Sequence, residues 1–133
     1  MILDSSAVVA ILLREEGYGP LVRAVTNAAE VSVGAPTLTE TAIVLTARLG
    51  LPGRALLARF LEDVAVSVIA FDDAHWRRAA DAFLQFGKGR HPAALNFGDC
   101  LTYATARHSG LPLLCTGNDF AKTDLVLVPL TGK

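Results

Sequence analysis

This sequence predicts an α/β fold: a central, mostly parallel sheet of about five short strands, flanked by helices on both faces. Two observations carry that prediction. Short apolar runs alternate along the chain with longer segments of helical period, and strands separated by helices assemble into parallel sheets whose faces the helices cover. The chain is also apolar, with 52% hydrophobic residues and a mean hydropathy of +0.42. Its 133 residues are about the modal size of one domain, enough to bury most of its apolar surface in one core. No repeat, linker or low-complexity stretch divides it, so residues 1–133 read as a single domain.

The elements follow in order. "MIL" reads as a short buried strand, and "SSAVVAILL" as a helix that begins at once. "GPLVRAVTNAA" is a second helix. "EVSVG" is a strand bounded by Gly34 and Pro36. "TLTETAIVLTARLG" is a helix with Leu38, Ala42, Leu45 and Leu49 on one stripe and Gly50 as its stop. "PGRALLARFLEDV" starts with Pro52 at a helix entrance. "AVSVIAF" is a strand. "DDAHWRRAADAFLQFG" is a helix capped by Asp72 or Asp73. "KGRHPAALN" is a loop, and the two glycines of "GKGRHPAALN" give it mobility. "FGDCLTYATARHSG" is a helix ending at Gly110, "LPLLCTG" a strand, and "LVLVPL" a last short strand.

Several function classes are disfavoured. No stretch approaches the roughly 18 uncharged apolar residues of a membrane span. The opening run lacks a basic start and holds Asp4, unlike a secretory signal, so cytoplasm is the expected compartment. Cys100 and Cys115 lack C-x-x-C spacing and read as buried, reduced thiols. His75, His91 and His108 are scattered, with no pair at a zinc-ligand spacing. Net charge is −1, a weak footprint for nucleic acid. If four of the 13 acids held divalent metal, nine acids would face 12 Lys and Arg, leaving +3.

Four acids stand out because each lies in a mostly apolar neighbourhood. Asp4 follows the first strand, Glu40 lies in the first turn of its helix, Asp99 starts the "DCLTYATA" helix, and Asp119 follows the "LLCTGN" strand end. Each has a local alternative. Asp4 can cap a helix. "TLTE" has capping-box spacing, with Thr37 as cap and Glu40 reaching back, and "NFGD" repeats it with Asn96 as cap. Asp119 can close a turn with Asn118. Together the four point elsewhere. Periodicity lines Glu40 up with Ile43, Val44 and Ala47, and Asp99 with Thr102, Tyr103 and Ala106. Asp4 and Asp119 leave the same ends of two parallel strands, where α/β sheets build their sites. Carboxylates converging there repel unless cations neutralise them. Mg²⁺ and Mn²⁺ are the natural candidates because they prefer oxygen ligands. A nuclease uses such a cluster without further catalytic side chains, since metal ions can activate a water, orient the phosphodiester and stabilise the leaving 3′ oxygen. Ser6, Thr116 and Asn118 are candidate supporting polar groups for carboxylates, metal waters or phosphate. Turn or cap duty is the alternative for each.

The segments "MILDSSAVVAIL", "TETAIVL" and "NFGDCLTYATARHSGLPLLCTGNDFAKTDL" resemble the PIN domain and, within it, the VapC toxins of VapBC toxin–antitoxin systems. The resemblance covers essentially the whole chain, and its most specific part is the last block. It implies a PIN-like fold and an acidic tetrad at Asp4, Glu40, Asp99 and Asp119. Asp124 matches a further acid of that family, a second-metal or supporting ligand, with a surface acid at a helix end as the alternative. The resemblance implies a Mg²⁺- or Mn²⁺-dependent endoribonuclease that arrests translation by cleaving a structured RNA, transfer or ribosomal. It also implies a homodimer held in a heteromeric complex by a cognate VapB-type antitoxin. The apolar-rich first two helices and "GLPGRALLARFLEDV" are the expected antitoxin surface, unless they are ordinary core helices. Lys88, Arg90 and His91 are the candidate RNA contacts, since cations on a loop before the Asp99 helix can grip phosphates.

Two rivals remain. "DSS" after a first strand resembles the haloacid-dehalogenase-type start, but that chemistry needs an acid at the position of Ser6. The other is a non-catalytic PIN-like module that binds protein or RNA, against which the intact tetrad argues.

Overall fold

A computed structural model describes residues 1–131. Four strands, β1 (Ile2–Leu3), β2 (Ser32–Gly34), β3 (Ser67–Ile69) and β4 (Leu113–Leu114), form one sheet in the order β3-β2-β1-β4, with every pairing parallel. Six helices connect and cover them: α1 (Ser5–Leu12), α2 (Tyr18–Asn27), α3 (Ala35–Leu49), α4 (Leu51–Val64), α5 (Asp73–Phe86) and α6 (Phe97–Ser109). Successive strand residues point to opposite faces, and here each face meets its own core. Leu3, Val33 and Leu114 pack with α1, α2 and α4, whereas Ile2 and Leu113 pack with α5 and α6. All four residues of β1 and β4 are fully buried, which is why these strands read as plain apolar runs.

The expected fifth strand is a single bridge. Leu127 pairs in parallel with Leu113, whose N–H donates to the Val126 carbonyl (2.9 Å) and whose carbonyl accepts from Val128 (2.8 Å). Pro129 follows directly and has no N–H to extend the ladder.

The start of α3 differs from the sequence reading. α3 begins at Ala35 with Gly34 as N-cap, so Thr37 is no cap and Glu40 lies in the second turn rather than the first. Pro36 is the reason. Its fixed φ and missing N–H suit the opening of a helix, which draws the start ahead of Thr37. Thr37 is buried instead, its hydroxyl 2.9 Å from that of buried Thr102 on α6. That hydrogen bond, worth about 1 kcal/mol net, ties the helix of Glu40 to the helix of Asp99. The 88–96 loop is tied at both ends. Lys88 N–H donates to Leu95 O, Leu95 N–H donates to Phe86 O, and Ala93 and Leu95 are fully buried.

The strand order positions the site. From β1 the chain builds outward through β2 to β3, then returns to the other side of β1 with β4. Direction therefore reverses between β1 and β4, and the crevice outside the carboxyl ends at such a switch point is where open α/β sheets place ligands. Asp4 leaves β1 at that point, and the Cys115–Asp119 segment leaves β4 beside it.

Candidate active site

Asp4 is 5% exposed and does cap a helix: its Oδ2 accepts from the Ser6 N–H (3.2 Å) and from the Ser6 hydroxyl (2.5 Å). Ser6 Oγ in turn accepts from the Thr116 N–H (3.1 Å). A chain of donors thus runs from the end of β4 through Ser6 to Asp4. Both bonds fall on Oδ2, and among the described residues Oδ1 accepts none. Capping thus leaves the second oxygen of the carboxylate unengaged.

Asp99 repeats the arrangement. It completes a capping box with Asn96, its Oδ2 accepting from the Asn96 N–H (3.1 Å) while its own N–H donates to Asn96 Oδ1 (2.8 Å). Burial pushes its carboxyl above the usual carboxylate range. The Asn96 N–H opposes that shift, and the charges of Asp4, Asp119 and Glu40 each add to it. The other three acids singled out in the sequence, at the start of α1, on α3 and in the turn after β4, therefore all act on Asp99. Among the described residues, no three acidic, cysteine or histidine side chains are drawn into direct ligating geometry.

Glu40 approaches the start of α6 at a residue the sequence reading passed over. A Cβ at Gly98 would lie 2.8 Å from Glu40 Oε2 and 3.0 Å from Oε1, so the carboxylate sits against the bare Cα of α6's first turn. A negative charge there is favoured by the helix dipole. Gly98→Ala should displace the Glu40 carboxylate, the free end of a flexible side chain, while Ala suits a helix better than Gly. The expected result is a loss of activity on the order of tenfold or more, as for a displaced supporting group, with a thermal midpoint unchanged or higher. Paired activity and melting measurements check it.

Cys115 was read only as a buried thiol. Its burial, with the charges of Asp4 and Asp99, pushes it up to about 12, which places it in the field of both carboxylates as a neutral thiol. Cys100 is also raised, by burial and then Asp99. The remaining sequence candidates separate. Thr116, Asn118 and Asp119 are exposed at the end of β4, and Thr116 enters through its backbone. Asp124 is engaged by Tyr103 and Arg107. Lys88 and Arg90 are exposed, the Arg90 guanidinium standing 5.7 Å over the Phe83 ring. His91 serves the loop itself: its ring packs edge-on against Phe86 and its Nδ1 accepts from Ala93 N–H.

A parallel α/β domain with four carboxylates at its switch point defines a class, and the sequence agrees. The PIN domain family matches residues 1–125, and the chain belongs to it. Its relatives narrow the branch to the VapC ribonucleases. Ribonuclease VapC36 of Mycobacterium tuberculosis is 49% identical over 126 residues, 94% of this chain and 91% of its own. Ribonuclease VapC of Mycolicibacterium smegmatis is 41% identical, over 96% of this chain and 99% of its own. The fold matches a crystal structure of M. tuberculosis VapC20, a sarcin-ricin loop cleaving toxin (TM-score 0.77, 21% identity, 96% and 97% of the two chains). It also matches VapBC2 of Rickettsia felis bound to a promoter DNA fragment (TM-score 0.75, 14% identity, 96% of each chain).

Proposed function

We propose that this chain is the toxin of a VapBC toxin–antitoxin pair: a Mg²⁺- or Mn²⁺-dependent endoribonuclease of the cytoplasm that arrests translation by cutting a structured transfer or ribosomal RNA. The observation that carries the reading is the convergence of acids where β1 and β4 end beside each other and Glu40 lies against the start of α6, so that Asp4, Asp119 and Glu40 all add to the burial that pushes the Asp99 carboxyl up. The names of the relatives supply the ribonuclease class. The donor set is all oxygen, which suits a hard divalent cation and not a thiolate-seeking one. Bound there, such a cation supplies Lewis-acid polarisation of the phosphodiester.

The protein's part is positioning. Ser6 fixes Asp4 with one oxygen left unengaged, Asn96 does the same for Asp99, and Gly98 lets Glu40 approach from the opposite helix. Asp119 closes the set from the β4 side. RNA is gripped by Lys88 and Arg90. Replacing either with Ala should weaken RNA binding evenly across sequences and lower the salt slope by about one phosphate contact; binding isotherms at several salt concentrations check this.

The antitoxin tail fits the apolar groove between α1, α2 and α4, lined by Ile11, Leu12, Val22, Val25, Leu56 and Phe60 and edged by Arg59 and Asp63. An amphipathic segment meets an apolar floor and a charged rim there. The homodimer surface is assigned to Ile43 and Phe97, 63% and 79% exposed beside Glu40. The test of the function is to purify the chain free of antitoxin and incubate it with total RNA, with and without Mg²⁺. Discrete, Mg²⁺-dependent fragments are expected. No cleavage, together with Asp4→Ala cells growing no better than wild type, would overturn the toxin reading and leave the non-catalytic module.

A further inference from the structure

We infer that Asp124 is a positioning residue and not a cation ligand: through its hydrogen bond from Tyr103 it bolts the segment carrying Asp119 to the helix carrying Asp99. The inference rests on the reading of the four carboxylates as a cation site and deepens it. Asp99 and Tyr103 are four residues apart on α6 and so share one face, one turn apart. Asp119 and Asp124 flank the single 3₁₀ turn Phe120–Lys122. The Tyr103–Asp124 bond therefore closes one side of a frame whose opposite side is Asp99 and Asp119.

The turn between them is braced to transmit that constraint. Phe120 is 4% exposed in the core that also holds Tyr103 and Cys100. The Thr123 hydroxyl donates to Phe120 O (2.6 Å) and accepts from Leu125 N–H (3.2 Å). Asp124 Oδ1 accepts from the Tyr103 hydroxyl at 2.6 Å, and Oδ2 stands 3.8 Å from the Arg107 guanidinium. Oδ1 is thus engaged by α6 and Oδ2 is loosely paired on the same helix. The Arg107 pair is about half exposed and weak. The Tyr103 bond matters more, because Tyr103 is 5% exposed and its hydroxyl would be left without a partner.

The test is Mn²⁺ binding by calorimetry on the whole chain, wild type against Asp124→Asn, Asp124→Ala and Tyr103→Phe. Asn keeps an acceptor for Tyr103 but loses the charge a ligand needs. Positioning predicts Asp124→Asn near wild type, with Asp124→Ala and Tyr103→Phe weakened alike by about tenfold or more, the usual cost of a lost supporting partner. Tyr103→Phe keeps the ring, so folding is retained, and thermal melts verify it. A second readout does not involve metal. Burial, then Asp124, holds the Tyr103 phenol at about 12; ultraviolet titration should find it lowered in Asp124→Ala, yet still above an ordinary tyrosine because burial persists. If Asp124→Asn falls as far as Asp124→Ala while Tyr103→Phe binds like wild type, Asp124 is a ligand and the inference is overturned. A wild-type chain that binds no Mn²⁺ overturns the cation site itself, a result distinct from any pattern among the variants.

Discussion

Asp4→Asn should leave the metal-free protein as stable as wild type and cut its RNA cleavage on the order of a thousandfold. The two halves come from the two jobs of one carboxylate. Asn caps helices about as well as Asp, and its side-chain oxygen can still accept from the Ser6 N–H and hydroxyl that hold Asp4. The cap, and with it the start of α1, should therefore survive, with a thermal midpoint in EDTA close to wild type. The unengaged oxygen is what changes, because a neutral amide is a poor ligand for a hard cation. Metal-ion catalysis supplies several kcal/mol of transition-state stabilisation, so cleavage should fall on the order of a thousandfold. Melting curves in EDTA beside initial rates in Mg²⁺ read both. A large fall in stability with activity retained would return Asp4 to a purely structural role.

Asp99→Asn has the opposite sign for stability. The carboxyl of Asp99 lies above its ordinary range in the folded protein, first through burial and then through the charges of Asp4, Asp119 and Glu40. A raised folded value means the native state holds the proton more tightly than the unfolded chain. That contribution to stability is fully present below the unfolded value and is lost as pH rises through the folded one. At neutral pH the ionised Asp99 therefore weighs against folding. Asn removes the charge and keeps an acceptor for the Asn96 N–H of the capping box. The metal-free variant should melt higher than wild type at pH 7, with the gap closing in acid as Asp99 itself protonates. Adding Mn²⁺ reverses the ranking. At a hundred times its dissociation constant a cation stabilises wild type by about 2.7 kcal/mol, roughly 10 °C for a domain of this size. The variant gains little. Scans with and without Mn²⁺, at neutral and acid pH, give all the needed comparisons.

The trade seen at Asp99 also explains which parts of the site were legible in the sequence. Acids in apolar company at strand ends and helix starts are costly, so Asp4, Asp99 and Asp119 stood out in the sequence alone. Glu40 was visible in the same way, and it is its local alternative that fails: "TLTE" imitates a capping box, but Pro36 draws the helix start back to Ala35. What stayed hidden depends on approach between elements distant in the chain. Gly98 matters because Glu40, 58 positions earlier by number, lies over its Cα. Tyr103 matters because Asp124 returns to it from beyond β4. Cys115 reads as a core thiol until the strand order brings Asp4 beside it. The α/β alternation was plain, but strands of two or three apolar residues carry no mark of their neighbours, so the order β3-β2-β1-β4 had to come from packing.

The account turns on one claim: that the carboxylates gathered at the β1/β4 switch cut RNA by cation-assisted hydrolysis. The measurement closest to that claim is the chemistry of the cut ends. Antitoxin-free protein is incubated with RNA in Mg²⁺ and in EDTA, and the termini are identified by ligation and mass spectrometry. The account predicts 5′-phosphate and 3′-hydroxyl ends, formed in Mg²⁺ and not in EDTA. A 2′,3′-cyclic phosphate would mean that the RNA's own 2′-hydroxyl attacked, and cleavage that persists in EDTA would mean that no divalent cation is needed; either result would contradict it.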